Sequence, residues 1–201
     1  MAILEPGLFI KKVSDAKFDK RTKAGKAAFE EWKQKYPDVE YFLSTEELKG
    51  LHHIKETCLN VAEVKNAIQE GFVETSHFVE CPDSGIRLKC RPDILNGDII
   101  YDVKTTRDVT PRRFSYIVKD LGYDISAWFY CRVMNLITGI DYTFKIIAVD
   151  KYPPYEVVIY TIPPEMMAEV EPKCMDALYL LADCLTSNNY PPQNLYQELI
   201  L

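Results

Sequence analysis

Apolar residues at helical spacing over residues 23–36 place Ala24, Ala27, Ala28, Trp32 and Tyr36 on one face and predict a helix. Tyr36-Pro37-Asp38 ends it, because the residue before a proline is driven out of the helical region. Residues 10–23 are charged and aperiodic and read as a surface segment. Ser44-Thr45-Glu46-Glu47 spells a capping box, in which hydroxyl and carboxylate each satisfy an open backbone N–H. The helix it opens turns Leu48, Leu51, Ile54, Cys58, Val61, Ala62 and Ile68 inward and stops at Gly71.

The period then changes to two. Residues 72–81, 86–95 and 98–105 read as three strands of a meander, joined by Pro82-Asp83-Ser84-Gly85 and by Asn96-Gly97, a strong hairpin signal. A helical region follows over 111–136, broken near Gly122 and ended by Thr138-Gly139. Residues 140–149 and 156–161 form a hairpin around Tyr152-Pro153-Pro154-Tyr155. A last helix starts at Pro163-Pro164-Glu165, with Met166, Val170, Cys174, Leu178, Leu181 and Leu185 as a buried stripe, and ends at Ser187-Asn188-Asn189. The whole is an α/β chain whose 201 residues suit a single domain, at roughly 100–200 residues per domain.

Composition removes several classes. No apolar run approaches the roughly 18–20 residues of a membrane-spanning helix, and residues 1–10 lack the pattern of a signal peptide, so the expectation is a cytoplasmic protein with no membrane partner. The six cysteines contain no C-x-x-C, which signals neither zinc nor an iron–sulfur cluster. They read as small buried hydrophobes of a reducing compartment. The net charge of −6 argues against a polyanion as partner, but its distribution does not. Residues 1–37 carry nine Lys/Arg against five Asp/Glu, and residues 104–119 carry five against one. Such stretches can hold a polyanion locally.

The meander carries the candidate chemistry. A two-residue loop at Asp83-Ser84 sets Glu74 opposite Asp93. A two-residue loop at Asn96-Gly97 sets Asp93 opposite Ile100, with Asp102 diagonal to it, about 7–8 Å away. Lys104 follows Asp102 by two and projects the same way. The opposite face collects Val73, Val79, Cys81, Ile86, Leu88, Cys90, Ile94, Ile99, Tyr101 and Val103, a core face that also takes His77 and fixes the alternation. Three carboxylates so close repel one another unless a cation sits among them, and oxygen ligands favour Mg²⁺, with Mn²⁺ able to substitute. Asp15-Ala16-Lys17 repeats the Asp-x-Lys spacing but lies in an aperiodic stretch. Only residues 93–104 join Pro-Asp, a hairpin and Asp-x-Lys.

Arg91-Pro92-Asp93 followed by Asp102-Val103-Lys104-Thr105-Thr106 resembles the PD-(D/E)xK nuclease superfamily. Adding Leu4-Glu5-Pro6, Arg21-Thr22-Lys23-Ala24-Gly25-Lys26, Glu74-Thr75-Ser76, Leu88-Lys89-Cys90 and Gly122-Tyr123-Asp124 through Tyr130, the chain is similar to RecE-type exonucleases over roughly residues 2 to 135. The resemblance implies a restriction-endonuclease-like core, a mixed central sheet flanked by helices. It implies Mg²⁺-dependent hydrolysis of linear double-stranded DNA from an end, 5′ to 3′. It also implies a RecT-type single-strand annealing protein as partner, phage-type recombination as setting, and a homo-oligomer. On this reading Glu74, Asp93, Asp102 and the Val103 carbonyl hold metal, and Lys104 acts on the attacking water and the transition state. Arg107, Arg112, Arg113 and Lys119 contact DNA phosphates, and Tyr123 and Tyr130 are candidates to stack on a frayed base. The family's metal-proximal His, which precedes the Leu-Glu-Pro stretch, has no counterpart in this sequence, and Ser126 stands where the family has Gln. Two other functions therefore stay open: a DNA- or protein-binding member with impaired catalysis, and an endonuclease.

Overall fold

Ser44 opens its helix as the capping box requires: Glu47 N–H donates to the Ser44 hydroxyl at 3.1 Å and Ser44 N–H to the Glu47 carboxylate at 2.7 Å. A computed structural model describes residues 3–191. In chain order the elements are α1 (Pro6–Lys12), β1 (Val13–Ser14), α2 (Lys23–Lys35), β2 (Tyr41–Phe42), α3 (Thr45–Asn60), α4 (Ala62–Glu70), β3 (Phe72–Val73), β4 (His77–Glu80), β5 (Arg87–Cys90), β6 (Ile94–Asn96), β7 (Ile99–Thr106), α5 (Pro111–Asp120), α6 (Tyr123–Thr138), β8 (Thr143–Asp150), β9 (Val157–Ile162) and α7 (Pro164–Ser187).

Five strands form the central sheet in the order β3-β6-β7-β8-β9. It is mixed: β7 and β8 run parallel, joined through α5 and α6, and the other pairs are antiparallel. Helices α3 and α4 lie on one face, with Ile54, Cys58, Val64 and Ala67 packed against Ile94, Tyr101, Ile147 and Val149. The other face buries Leu95, Ile100, Phe144, Ile146 and Ala148 under α5 and α6, and α7 backs α6. Among the described residues no helix is long and apolar enough to cross a membrane. All six cysteines are free; Cys131 and Cys174 are half-buried and the other four buried.

Several expectations are corrected. The helix over 45–70 breaks at Val61, whose backbone is extended, so α3 and α4 meet the sheet separately. The aperiodic segment 10–23 ends one short helix and supplies β1, which pairs parallel to β2. The long strands of the meander are interrupted at 74–76 and 91–93, so β4 and β5 leave the main sheet as a two-stranded ribbon. This divides the expected core face. Val73, Ile94, Ile99, Tyr101 and Val103 pack toward α3 and α4, whereas Val79, Cys81, Ile86, Leu88 and Cys90 join the cluster under α5 and α6. His77 is half-buried, with Nε2 3.0 Å from the Thr75 hydroxyl. The stripe of α7 is buried only in part: Leu181 is 42% and Leu185 55% exposed, while Cys184 is buried.

The second hairpin is also shifted. Asn96 pairs with Ile99, so the two-residue loop is Gly97-Asp98 rather than Asn96-Gly97. Gly97, at φ +58°, then occupies the first central position, where a hairpin favours glycine. A shift of two residues preserves every face, because side chains alternate with period two.

Gly71 fixes where this meander starts. A Cβ there would lie 2.5 Å from the Ala67 carbonyl oxygen, 2.8 Å from that of Leu95 and 2.9 Å from Ile94 Cγ2. Two of those atoms are backbone and cannot swing aside. Gly71→Ala is expected to destabilise the fold by about 2–3 kcal/mol, the scale of overpacking, read as a lower urea midpoint at unchanged slope. An unaltered midpoint would contradict this close approach.

Candidate active site

Asp102 and Lys104 sit two apart on β7 and share the face covered by α6, as strand alternation demands. Lys104 Nζ lies 2.6 Å from Asp102 Oδ2. Asp102 Oδ2 is buried, and its negative charge is compensated by this ammonium. Asp93 arrives from the turn before β6. The two-residue hairpin shift brings it level with Asp102, and its Oδ2 accepts the Val103 N–H at 2.7 Å. Burial, and then the charge of Asp102, push the Asp93 carboxyl up from 3.8 to about 6. Burial works to lower the Lys104 ammonium, but the Asp102 and Asp93 carboxylates outweigh it and the pKa is raised.

The Lys104 ammonium also stands over the Tyr123 ring, 5.0 Å from its centre. Tyr123 is the first residue of α6, set there by Gly122 at φ +66°. Tyr130 is half-buried, its ring edge-on to Phe144 with centroids 6.2 Å apart. Burial and the charges of Asp102 and Asp93 raise its phenol pKa, so its hydroxyl end feels the site although its ring belongs to the core. Ser126 bonds back to the Gly122 carbonyl of its own helix at 3.3 Å.

Glu74 reaches the same neighbourhood by a different route. Its N–H donates to the Asp93 carbonyl at 3.0 Å, the pairing that the first hairpin requires. Its backbone takes φ +54°, which ends β3 and redirects the side chain. The carboxylate faces Arg91: Oε2 lies 2.9 Å from Nε, and the same Nε donates to the Glu74 carbonyl at 3.0 Å. Among the described residues no three His, Cys, Asp or Glu side chains are gathered closely enough to hold a metal ion. Asp93, Asp102 and Lys104 are therefore together, with Glu74 beside them but held by Arg91. Arg91 belongs to the Arg91-Pro92-Asp93 motif, and its hold on Glu74 is visible only in the structure. The available signal was alternation, which sets Arg91, Asp93 and Glu74 on one face.

The donor set can be tested against a divalent ion. Two partly desolvated carboxylates lie close enough that one is pushed toward neutrality. One of their oxygens is buried and faces the Lys104 ammonium alone. An all-oxygen set in which two carboxylates face a single ammonium fits a hard cation such as Mg²⁺ or Mn²⁺. Asp93 and Asp102 would hold it.

The basic stretch after the site is exposed. Arg107 follows β7, and Arg112 and Arg113 project from the first turn of α5. Lys119, at the far end of α5, is paired with Glu169 of α7 at 3.2 Å.

Comparison with solved structures places this architecture. A crystal structure of a candidate exonuclease from Eubacterium rectale superposes with a TM-score of 0.61 at 14% identity, covering 97% of this chain and 77% of that one. A phage-related exonuclease from Haemophilus somnus 129PT overlaps at a TM-score of 0.44 and 16% identity, over 90% and 93% of the two chains. The first likeness establishes the fold, and the second is too loose to carry an argument. No curated protein matches the chain. The match over residues 5–194 is to the family described as a PDDEXK-like domain of unknown function (DUF3799), and the chain belongs to that family.

Proposed function

We propose that this chain is a divalent-metal-dependent deoxyribonuclease, using Mg²⁺ with Mn²⁺ able to substitute, that degrades linear double-stranded DNA from its ends. The observation that carries the reading is the pair Asp93 and Asp102 beside the Lys104 ammonium, with the Asp93 carboxyl pushed up by burial and by the charge of Asp102. Exonucleolytic action, 5′-to-3′ direction, a RecT-type annealing partner and a homo-oligomer are supported by the motif resemblance and belong to the same proposal, as does a cytoplasmic setting.

A bound divalent ion would supply charge that stabilises the negative oxygens of a phosphodiester undergoing hydrolysis. The chain's own residues supply the rest. Asp93 and Asp102, and Glu74 and the Val103 carbonyl if they are drawn in, hold the ion. Lys104, kept protonated by its acidic neighbours and braced over Tyr123, orients the attacking water and compensates charge on the transition state. The products carry 5′-phosphates. Arg107, Arg112 and Arg113 contact backbone phosphates, which fixes position rather than sequence. Lys119 joins them once it exchanges Glu169 for a phosphate. Tyr130 borders the site from the core and is the weaker DNA contact.

An end-labelled linear duplex and a closed circular plasmid, each incubated with Mg²⁺ and with a chelator, test this reading. The expected result is metal-dependent loss of the linear duplex, with label release reporting direction, and an intact circle. Cleavage of the circle would convert the assignment to an endonuclease. The engagement of Glu74 by Arg91 favours one other reading, a binding protein that kept the fold without the chemistry. Duplex binding with no cleavage at any Mg²⁺ or Mn²⁺ concentration would establish it.

A further inference from the structure

Glu74 is the one site residue whose backbone is unusual and whose carboxylate already has a cationic partner. A side-chain-bearing residue at φ +54° occupies a region it seldom visits, and it stays there only when its surroundings insist. The turn that supplies Asp93 provides that insistence. Glu74 N–H binds the Asp93 carbonyl, the Glu74 carbonyl accepts from Arg91 Nε, and the Glu74 carboxylate lies 2.9 Å from the same nitrogen.

Both contacts of Arg91 run through Nε. Its side chain is 48% exposed, and among the described residues its two terminal nitrogens make no hydrogen bond. A guanidinium held by one nitrogen, with its fork open to solvent, can accept a phosphate in the two-point geometry that suits it. It cannot keep Glu74 equally well once a divalent ion draws on the same carboxylate, because the two cations then compete for one anion and repel each other.

We infer that Arg91 is a positioning residue that gates the metal site: without DNA it holds Glu74 off the ion, and when a DNA phosphate takes its guanidinium it releases the carboxylate to complete the ligand set. This rests on Asp93 and Asp102 being metal ligands. Metal and DNA then strengthen each other's binding, and by linkage the factor is the same from either side, on the order of tenfold. A nuclease so built fills its metal site fully only on substrate.

The test uses the full chain, with Mn²⁺ binding read by calorimetry and duplex binding by anisotropy. The duplex is 5′-phosphorylated and carries non-cleavable terminal linkages. For the unaltered chain, Mn²⁺ is expected to tighten duplex binding on the order of tenfold. Arg91→Gln keeps a donor for the Glu74 carbonyl and removes the charge. It is expected to bind Mn²⁺ several-fold more tightly without DNA, and its duplex affinity should lose most of the dependence on Mn²⁺. Unchanged or weaker Mn²⁺ binding in Arg91→Gln, with the Mn²⁺ dependence of duplex binding retained, overturns the gate while leaving the nuclease reading intact. Failure of the unaltered chain to bind Mn²⁺ both with and without the duplex overturns both. Should Arg91→Gln not fold, Glu74→Gln decides: it is expected to weaken Mn²⁺ binding far more with the duplex present than without. Equal weakening in both conditions overturns the gate.

Discussion

Asp102→Asn is expected to lower Mg²⁺-dependent degradation of linear duplex DNA by on the order of a thousandfold or more, since the charge stabilisation a metal supplies is worth several kcal/mol and each 1.36 kcal/mol is tenfold in rate. Asp102 is 6% exposed, and its Oδ2 lies 2.6 Å from the Lys104 ammonium. An amide there replaces a charged ligand with a neutral one of the same shape, so the packing against α6 survives. Lys104 also loses its nearest anion, the neighbour that most raises its pKa. The loss should appear in the rate at saturating duplex more than in duplex affinity, because the basic residues after β7 are untouched. A far-UV spectrum and unfolding curve like those of the unaltered chain would show that chemistry was removed rather than structure. Retention of more than about a tenth of the rate would mean that Asp102 does not hold the ion.

Asp93→Asn is expected to stabilise the metal-free fold while abolishing cleavage. In the folded chain the Asp93 carboxyl is raised from 3.8 to about 6 by burial and by the charge of Asp102. The folded state therefore binds this proton more tightly than the unfolded state does. Stability from this group is highest below pH 4, falls as pH rises toward 6, and above 6 carries a constant penalty. A shift of roughly two units at 1.36 kcal/mol each makes that penalty about 3 kcal/mol. Asparagine removes the charge and can still accept the Val103 N–H, so the variant should be more stable than the parent by up to about 3 kcal/mol at pH 8, with the gap closing by pH 4. Urea unfolding in chelator across that range measures it. Mg²⁺ should offset the penalty in the parent by binding the folded state and should do little for the variant. A stability difference that does not change with pH would show that the Asp93 carboxyl is not held under this electrostatic pressure.

The two variants divide what the site does. On the proposed reading Asp102 offers the ion an oxygen otherwise paired only with Lys104, and Asp93 raises the cost of leaving the place without a cation. Desolvation makes both effects large, and it comes from α6 lying across the sheet. The same helix begins with Tyr123 beneath Lys104, so one element buries the carboxylates and steadies the amine.

Local chemistry was legible from the chain alone wherever a few adjacent residues decide the outcome. The capping box at Ser44, the stops at Gly71, Gly122 and Gly139, and the alternation that sets Asp102 and Lys104 on one face depend on backbone geometry within a turn or a strand. The loop at Asp83-Ser84 fixed the first hairpin correctly, since His77 pairs with Cys90 and Val73 with Ile94. The second hairpin slipped by two because Asn-Gly is a good loop in isolation, and only the rest of the sheet selects Gly97-Asp98. That slip brings Asp93 level with Asp102, so the hydrogen bond from Val103 exists because of it.

By itself the sequence determined which residues share a face within one uninterrupted strand, as Asp102 and Lys104 do on β7, since side-chain direction along a strand has a fixed period of two. It could not determine that both faces of the sheet are covered, because alternation reads the same whether the polar side meets water or a helix. It could not determine the left-handed backbone of Glu74, because no glycine or asparagine marks it and contacts from a turn seventeen residues on hold it. Burial of the acidic pair, the break that splits the meander and the hold of Arg91 on Glu74 were decided by tertiary packing, where residues far apart in the chain set one another's dielectric and partners.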